Sequence, residues 1–296
     1  MPLPKTNPEF EALLDYLKHN RGCDLTGYKR STLMRRFQHR MHSIQIDNYQ
    51  SYLQYLQSHT EEYRMLLNDV LINVTCFFRD RDAWEYLATD VILKILACKQ
   101  PNEPIRVWSA GCAGGHEIYS LLILLIEVLG IENCLQQVQC FATDADKDAL
   151  QKGRQGTYSH QEIANIPPKW LEKYFTQTEQ GYVFHSALRR TIVFGHHDLM
   201  KNAPMSKIDL LVCRNVLMYF NSDIQTAILI RFHFALKDTG FLFLGKAEAL
   251  FNRREIFRPF HIRHQIYAKE LELSLKAEGA TSTSKYIRGK DLTESW

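Results

Sequence analysis

What the chain has little of narrows it first. Its seven cysteines (Cys23, Cys76, Cys98, Cys112, Cys134, Cys140 and Cys213) form no C-x-x-C pair and no Cys/His cluster at ligand spacing. That scatter argues against a disulfide frame and against a metal site. The odd count suits reduced thiols in a cytoplasmic protein. Cys112 and Cys213 sit beside candidate site segments and read as small buried fillers rather than catalytic thiols. Charge of one sign is also scarce. A net charge of +3 over 296 residues is too mild to imply nucleic acid by itself. The opening Met-Pro-Leu-Pro-Lys-Thr-Asn-Pro lacks the apolar core of a signal peptide. The most apolar run, residues 118–129, is too short to span a bilayer and carries Glu127, so a buried helix is expected there. There is no internal repeat, and the dinucleotide fingerprint G-x-G-x-x-G is missing.

What is present looks like an ordinary globular protein, with 45% hydrophobic and 23% charged residues. The length suits one large α/β domain plus a smaller one. Residues 9–70 carry helical spacing throughout: Phe10, Leu13, Leu14 and Leu17, then helices over 28–42, 49–56 and 60–70. Another helix is expected over 80–98. From residue 105 the pattern alternates between strand and helix. The strands fall at 105–109, 138–143, 191–195, 208–213, 241–245 and 265–269, and an antiparallel edge strand is expected near 261–269. A mostly parallel, doubly wound α/β sheet follows. Residues 157–190 read as a small β insertion, with a helix-like stretch at 169–175 and alternation at 182–185. The domains expected are a helical unit over 1–80, an α/β unit over 81–270 and a polar tail over 271–296, expected to be disordered beyond a helical start.

Residues 105–144 carry the most information. A β-like run ends in Ser-Ala-Gly-Cys-Ala-Gly-Gly, an apolar helix follows, and a second β-like run closes on Asp144. Glycines let backbone approach a ligand, and an acid ending the second strand can accept both ribose hydroxyls. Asp144 therefore reads as a ribose acceptor ahead of a helix N-cap. Glu117, at a helix start, suits the macrodipole equally well. Three further segments can converge on the same crevice at the carboxyl ends of the strands: 73–80 (Asn-Val-Thr-Cys-Phe-Phe-Arg-Asp), 197–199 (His-Asp-Leu) and 209–220, which ends in Cys-Arg-Asn-Val-Leu-Met-Tyr-Phe. Arg79 precedes Asp80 and Asp82, so a structural ion pair competes with a site role. Asn215 competes as a turn cap, Tyr219 and Phe220 as core aromatics. His196 and His197 read as structural.

Together these segments resemble the CheR-type chemotaxis receptor methyltransferases. The family pattern N-x-T-x-F-F-R-D appears at 73–80, the turn W-S-A-G-C-S-x-G-E-E-x-Y-S at 108–120, A-T-D at 142–144 and C-R-N-V-x-x-Y-F at 213–220. The resemblance covers roughly residues 9–270. It implies a Rossmann-like S-adenosylmethionine-dependent methyltransferase with an N-terminal helical domain and a small β insertion. The implied reaction makes glutamyl methyl esters on a chemoreceptor-like protein and leaves S-adenosylhomocysteine. By motif position the implied cofactor contacts are Asn73, Thr75, Arg79, Glu117, Asp144, Asp198, Leu199, Arg214 and Asn215. Arg79 and Tyr219 match the residues nearest the transferring methyl.

Two positions depart from the family pattern. His116 stands where the first Glu of G-E-E is usual. Gly245-Lys246-Ala247-Glu248 replaces the frequent G-H-S-E. Two other readings stay open on that account. One is a methyltransferase of the same fold using His116 or Lys246 as a base on another acceptor. The other is a non-catalytic S-adenosylmethionine-binding adaptor.

The second helix holds Lys29, Arg30, Arg35, Arg36 and Arg40 with no acid between Tyr28 and His42. At 100° per residue Lys29, Arg36 and Arg40 share a narrow stripe. Alone, such a run is a solvated face. Given the resemblance, it is expected to bind an acidic helical region of a chemoreceptor-like partner. No second basic patch with interleaved aromatics points to nucleic acid. No membrane insertion is expected, and nothing demands a dimer, so a monomer is expected.

Overall fold

A computed structural model describes residues 7–71, 73–100, 103–250 and 256–270. The tail expected over 271–296 lies outside the described residues. Four helices form the N-terminal unit: α1 (Pro8–Arg21), α2 (Arg30–Ser43), α3 (Tyr49–Ser58) and α4 (Thr60–Val70). Their apolar stripes meet in one cluster around Phe10, Leu17, Phe37, Tyr52 and Leu66. Asn7 caps α1 by accepting the Glu9 and Phe10 N–H groups, and Asn48 caps α3 by accepting Ser51 N–H. The helix expected over 80–98 is broken into α5 (Arg81–Tyr86) and α6 (Leu93–Ala97) by a π-helical turn over Leu87–Ile92.

The α/β unit contains β1 (Ile105–Ala110), α7 (His116–Leu129), α8 (Ile131–Gln137), β2 (Val138–Asp144) and α9 (Lys147–Gln155). A lobe follows, with β3 (Thr157–Tyr158), α10 (Pro168–Tyr174), β4 (Phe175–Thr178), β5 (Gly181–Phe184) and α11 (Ser186–Arg189). The chain then returns through β6 (Ile192–His196), β7 (Ile208–Cys213), α12 (Ser222–Ala235), β8 (Leu236–Leu244), β9 (Phe257–His261) and β10 (Ile266–Lys269). The sheet order is β6-β2-β1-β7-β8-β10-β9. The first five strands are parallel, while β10 runs antiparallel to both β8 and β9. The hairpin at that edge is the antiparallel element expected near 261–269. Strand order reverses between β1 and β7, and crevices for ligands form at such switch points. The lobe is a separate sheet, β3-β5-β4. Its strand β4 lies where the sequence suggested the end of a helix and the start of a polar turn over 177–181.

Helix α7 is buried on every side from His116 to Ile126. That explains its unbroken apolar run, since helices that are apolar all round belong in a core. Among the described residues no single helix is long and apolar enough to cross a membrane.

The basic helix needs two corrections. It starts at Arg30, so Lys29 is an extended residue ahead of it (φ −62°, ψ 124°) and does not continue the helical stripe. Arg40 is not a free charge. Its guanidinium makes a two-point contact with Glu62 (2.8 and 2.6 Å), and Glu62 also accepts the Tyr52 hydroxyl at 2.8 Å. Glu62 is buried, so this pair ties α2 to α4. Arg30 is likewise paired with Glu11. The absence of acids within the run concealed acids brought in by neighbouring helices. Lys29 and Arg35 are exposed, and Arg36 is half-buried.

Candidate active site

The crevice opens at the carboxyl ends of β1, β2 and β7. After β1 the chain turns at Gly111, whose φ is +81°. A Cβ there would come within 2.5 Å of a Val216 methyl, so only glycine lets the two strand-end loops approach. Gly115, at φ +88°, then starts α7. Two connected chambers share Gly111, Ala113, Asn215 and Val216 as their common floor. The outer chamber is lined by Asn73, Asp144, Asp198, Leu199 and Tyr219, with Tyr28 and Leu71 contributed by the helical unit. The inner chamber is lined by Thr75, Cys76, Arg79, Trp84, Glu117 and Arg214. All nine residues matched to the cofactor, together with Tyr219, therefore lie along one continuous crevice.

Their chemistry differs from chamber to chamber. Asp144 ends β2. One carboxylate oxygen accepts the Ala113 N–H at 2.8 Å and the other the Asp146 N–H at 2.9 Å. Each oxygen keeps a lone pair for a further donor. Burial pushes this carboxyl above its usual range, against the backbone amides of Asp146, Ala113 and Ala145. Asn73 donates to Asp146 at 2.6 Å, and Asp146 in turn caps α9 through the Asp148 and Ala149 amides. Asn73 thus fixes the segment before the inner chamber, and its amide oxygen is not committed to that bond. Asp198 accepts the Met200 N–H at 2.8 Å.

In the inner chamber Glu117 is buried. Among the described residues its one side-chain donor is the Ser109 hydroxyl, at 2.8 Å. Burial raises its carboxyl to about 7, although Arg214 and Ser109 favour the charged form. The acid thus sits in a niche that a cation would relieve. Arg214 is buried and held on several sides. It donates to Asp80 at 2.6 Å and to the Arg79 carbonyl at 2.8 Å, and stacks over Phe243 at 4.7 Å and Trp84 at 5.5 Å. Its Nε and the Asn215 Oδ1 are buried with no partner among the described residues. Orphaned polar atoms on a crevice wall are what a bound polar ligand would satisfy.

The 73–81 segment is backbone-strained. Phe78 (φ +50°) and Asp80 (φ +59°) both lie in the left-handed region, which persists only where surroundings enforce it. The enforcing contacts are visible. Ser120 Oγ accepts the Phe78 N–H at 3.0 Å, and the Arg79 carbonyl accepts Trp84 Nε1–H at 2.8 Å as well as Arg214. Asp80 pairs with Arg214 and Asp82 lies near Arg263, so neither neighbouring acid takes the Arg79 side chain. Among the described residues the Arg79 side chain reaches the Val74 carbonyl alone, at 3.4 Å.

The two departures from the family pattern lie away from this crevice. The buried His116 ring packs against Phe77 and Tyr158. Its Nε2 is 3.2 Å from Glu162 of the lobe, which also binds Lys152. Burial lowers His116 to about 4, so it is neutral near pH 7 and joins the lobe to α7. Lys246 lines a separate hollow with Asp82, Arg263 and His264, behind Arg214. Neither is placed as a base beside the crevice. The thiols of Cys112 and Cys213 are buried and pushed well above their usual range, which leaves them inert.

Tyr28, Trp84, Asp80 and Glu248 escaped the sequence reading. Tyr28 precedes a helix with no motif to mark it, yet its ring sits 4.8 Å from Phe220 and closes the outer chamber. An acidic neighbour of Arg79 was visible for Asp80, but its true partner lies 134 residues away.

Comparison with known proteins adds an independent line. Residues 73–266 match the family described as CheR methyltransferase, SAM binding domain, and residues 8–71 match the CheR methyltransferase, all-alpha domain. The Chemotaxis protein methyltransferase of Escherichia coli is 30% identical over 275 residues, covering 90% of this chain and 92% of that protein. The Chemotaxis protein methyltransferase 2 of Vibrio cholerae is 31% identical, covering 87% and 91%. An uncharacterised 104.1 kDa protein of Rhodobacter capsulatus is 35% identical over 240 residues, but this chain spans only 25% of its length. Among solved structures, PKMT2 from Rickettsia typhi in complex with AdoHcy is similar at 16% identity and a TM-score of 0.33, over 55% of this chain and 25% of that one. A likeness that slight adds nothing to the fold, which stands on the sheet order and the family match.

Proposed function

The chain belongs to the CheR methyltransferase family, and from that premise we propose that it methylates glutamate side chains of a chemoreceptor-like protein, giving glutamyl methyl esters. It is an S-adenosylmethionine-dependent methyltransferase with chemotaxis relatives. The observation that carries the reading is the pair of underused acids, Asp144 and Glu117, at the two ends of one crevice whose floor carries the orphaned Asn215 Oδ1.

The residues fit the donor by their chemistry. Asp144 accepts ribose hydroxyls on its two oxygens. Glu117 offers a buried negative charge to an ammonium group. Leu199, with Asp198 beside it, borders the adenine, and Asn73, Thr75, Arg214 and Asn215 complete the walls. When bound, the sulfonium supplies an electrophilic methyl group whose transfer to a carboxylate oxygen leaves a neutral thioether and an ester.

The acceptor needs no activation. A glutamate with an unperturbed pKa of ~4.3 is already anionic at neutral pH, so this reaction asks for no general base. Work remains in alignment and in excluding water, and alignment can be worth ~7–11 kcal/mol in favourable cases. Arg79, whose side chain no neighbouring acid takes, steers the incoming carboxylate. Tyr219 presents a hydroxyl and a ring face to the cationic centre. Lys29 and Arg36 meet the acidic helical region of the partner.

Transfer of labelled methyl to a chemoreceptor fragment tests the proposal. Mild base should release the label as methanol. Label that survives base would exclude a carboxyl ester and return the acceptor to another class.

A further inference from the structure

Glu248 is another buried acid at the strand tips, 7% exposed, and the reading above gives it no role. Its neighbours are backbone amides. Oε2 accepts the Asn215 N–H at 2.7 Å and the Gly245 N–H at 2.8 Å, while Oε1 accepts the Met218 N–H at 3.2 Å. This is the geometry of an anion in a concave set of N–H groups, with the anion supplied by the protein itself. Burial raises the Glu248 carboxyl even so.

Two features show what the clamp holds. Asn215 sits at φ +61°, a left-handed conformation that non-glycine residues keep only when held. A Cβ on Gly245 would come within 2.7 Å of both Asn215 N and Glu248 Oε2, so the loop after β8 is closed tightly around the carboxylate. The gripped segment is the one that puts Asn215, Val216 and Tyr219 into the crevice. Its far end is tied to the helical unit, where Lys29 N–H donates to the Tyr219 carbonyl and Asn221 N–H to the Gly27 carbonyl, both at 2.9 Å.

We infer that Glu248 is a positioning residue for methyl transfer. Its carboxylate holds Asn215 in its strained backbone and sets the Leu217–Met218 peptide just ahead of Tyr219, and through them aligns the donor and the tyrosine. The inference rests on the reading that the crevice holds the donor with Tyr219 near the methyl.

The two oxygens give the test its resolution. Glu248→Gln can keep one oxygen between Asn215 and Gly245, but it sets an amide N–H2 against the Met218 N–H. Glu248→Ala loses all three bonds. Three quantities are measured on the full chain: calorimetric affinity for S-adenosylhomocysteine, kcat on a receptor fragment at saturating donor, and the denaturation midpoint. The glutamine variant should hold donor affinity within about twofold and lose about tenfold in kcat, whereas alanine should lose about tenfold in both. Asp209→Asn, at the opposite end of the sheet, should lower the midpoint and leave affinity and kcat unchanged. The inference is overturned if both Glu248 variants keep wild-type affinity and kcat, or if Asp209→Asn imposes the same losses. If the alanine variant does not fold, the near-isosteric glutamine variant decides alone. Wild-type chain that binds no S-adenosylhomocysteine would sink the donor-pocket reading and this inference with it. Wild-type chain that binds but does not methylate the fragment would sink only the acceptor, and the affinity of the alanine variant then decides.

Discussion

The two ends of the central sheet bury acids in opposite ways. At the amino end of β7, Asp209 accepts Lys99 Nζ at 2.8 Å and the Arg106 N–H at 2.8 Å, with Lys237 3.4 Å away. Glu103 joins the same lysines, and its contact with Lys237 pulls its carboxyl down to about 2. At the carboxyl end, Glu117, Asp144 and Glu248 are all pushed up by burial. The backbone leans the same way: Phe78, Asp80, Ala113 and Asn215 take positive φ around the crevice, against Lys207 alone beside the amino end of β7. One end carries its own countercharges and serves the fold. The other leaves acids underpaired and backbone strained, as expected where a ligand completes the site.

The contrast is sharpest where one end can be damaged without the other. Lys99→Met should be the largest blow to stability, about 3 kcal/mol by urea denaturation, because it strips the main cation from buried Asp209. Donor affinity should survive it. Asp144→Ala should do the reverse, with calorimetry showing about a hundredfold weaker S-adenosylhomocysteine binding and little change in stability. If both variants lost both properties, the division between the two ends would fail.

Glu117 allows a finer test. A bound ammonium favours the charged carboxylate, so binding expels a proton wherever the free acid still holds one. Wild-type donor affinity should therefore rise with pH and level off above about 7. Glu117→Gln should bind about tenfold more weakly at pH 8 and show no such rise. The same substitution should stabilise the empty protein. An acid whose folded pKa is raised costs stability once pH exceeds its unfolded value, and the cost grows until the folded pKa is passed. At pH 8 the melting temperature of the glutamine variant should thus exceed wild type by a few degrees, on the order expected for ~1 kcal/mol.

The smallest effect expected is at the helical unit. Lys29→Glu with Arg36→Glu should raise the acceptor KM about fivefold at low salt, spare donor affinity, and fade as salt is added. Arg40→Glu should instead lower stability, because it breaks the buried contact with Glu62.

Periodicity carried the order of elements well, because α7 and the central strand β7 are buried along most or all of their length and are largely apolar. It failed where chemistry comes from distant segments. The Arg40–Glu62 and Arg214–Asp80 pairs join residues 22 and 134 positions apart, and nothing local marks them. The Leu87–Ile92 π-turn and the edge strand β4 were likewise hidden: the π-turn keeps a helix-like pattern, and β4 buries only Phe175 of its four residues, too few to show a strand period. Ordered motifs made the crevice legible at Asp144, Glu117 and Asn215. Tyr28 and Glu248 act by closing and bracing it, which only the folded chain reveals.

The most direct trial is a crystal structure with S-adenosylhomocysteine bound. The account predicts ribose hydroxyls on Asp144, the ammonium on Glu117 and the adenine beside Leu199 under Tyr28. A ligand lodged elsewhere, with Asp144 and Glu117 untouched, would contradict it.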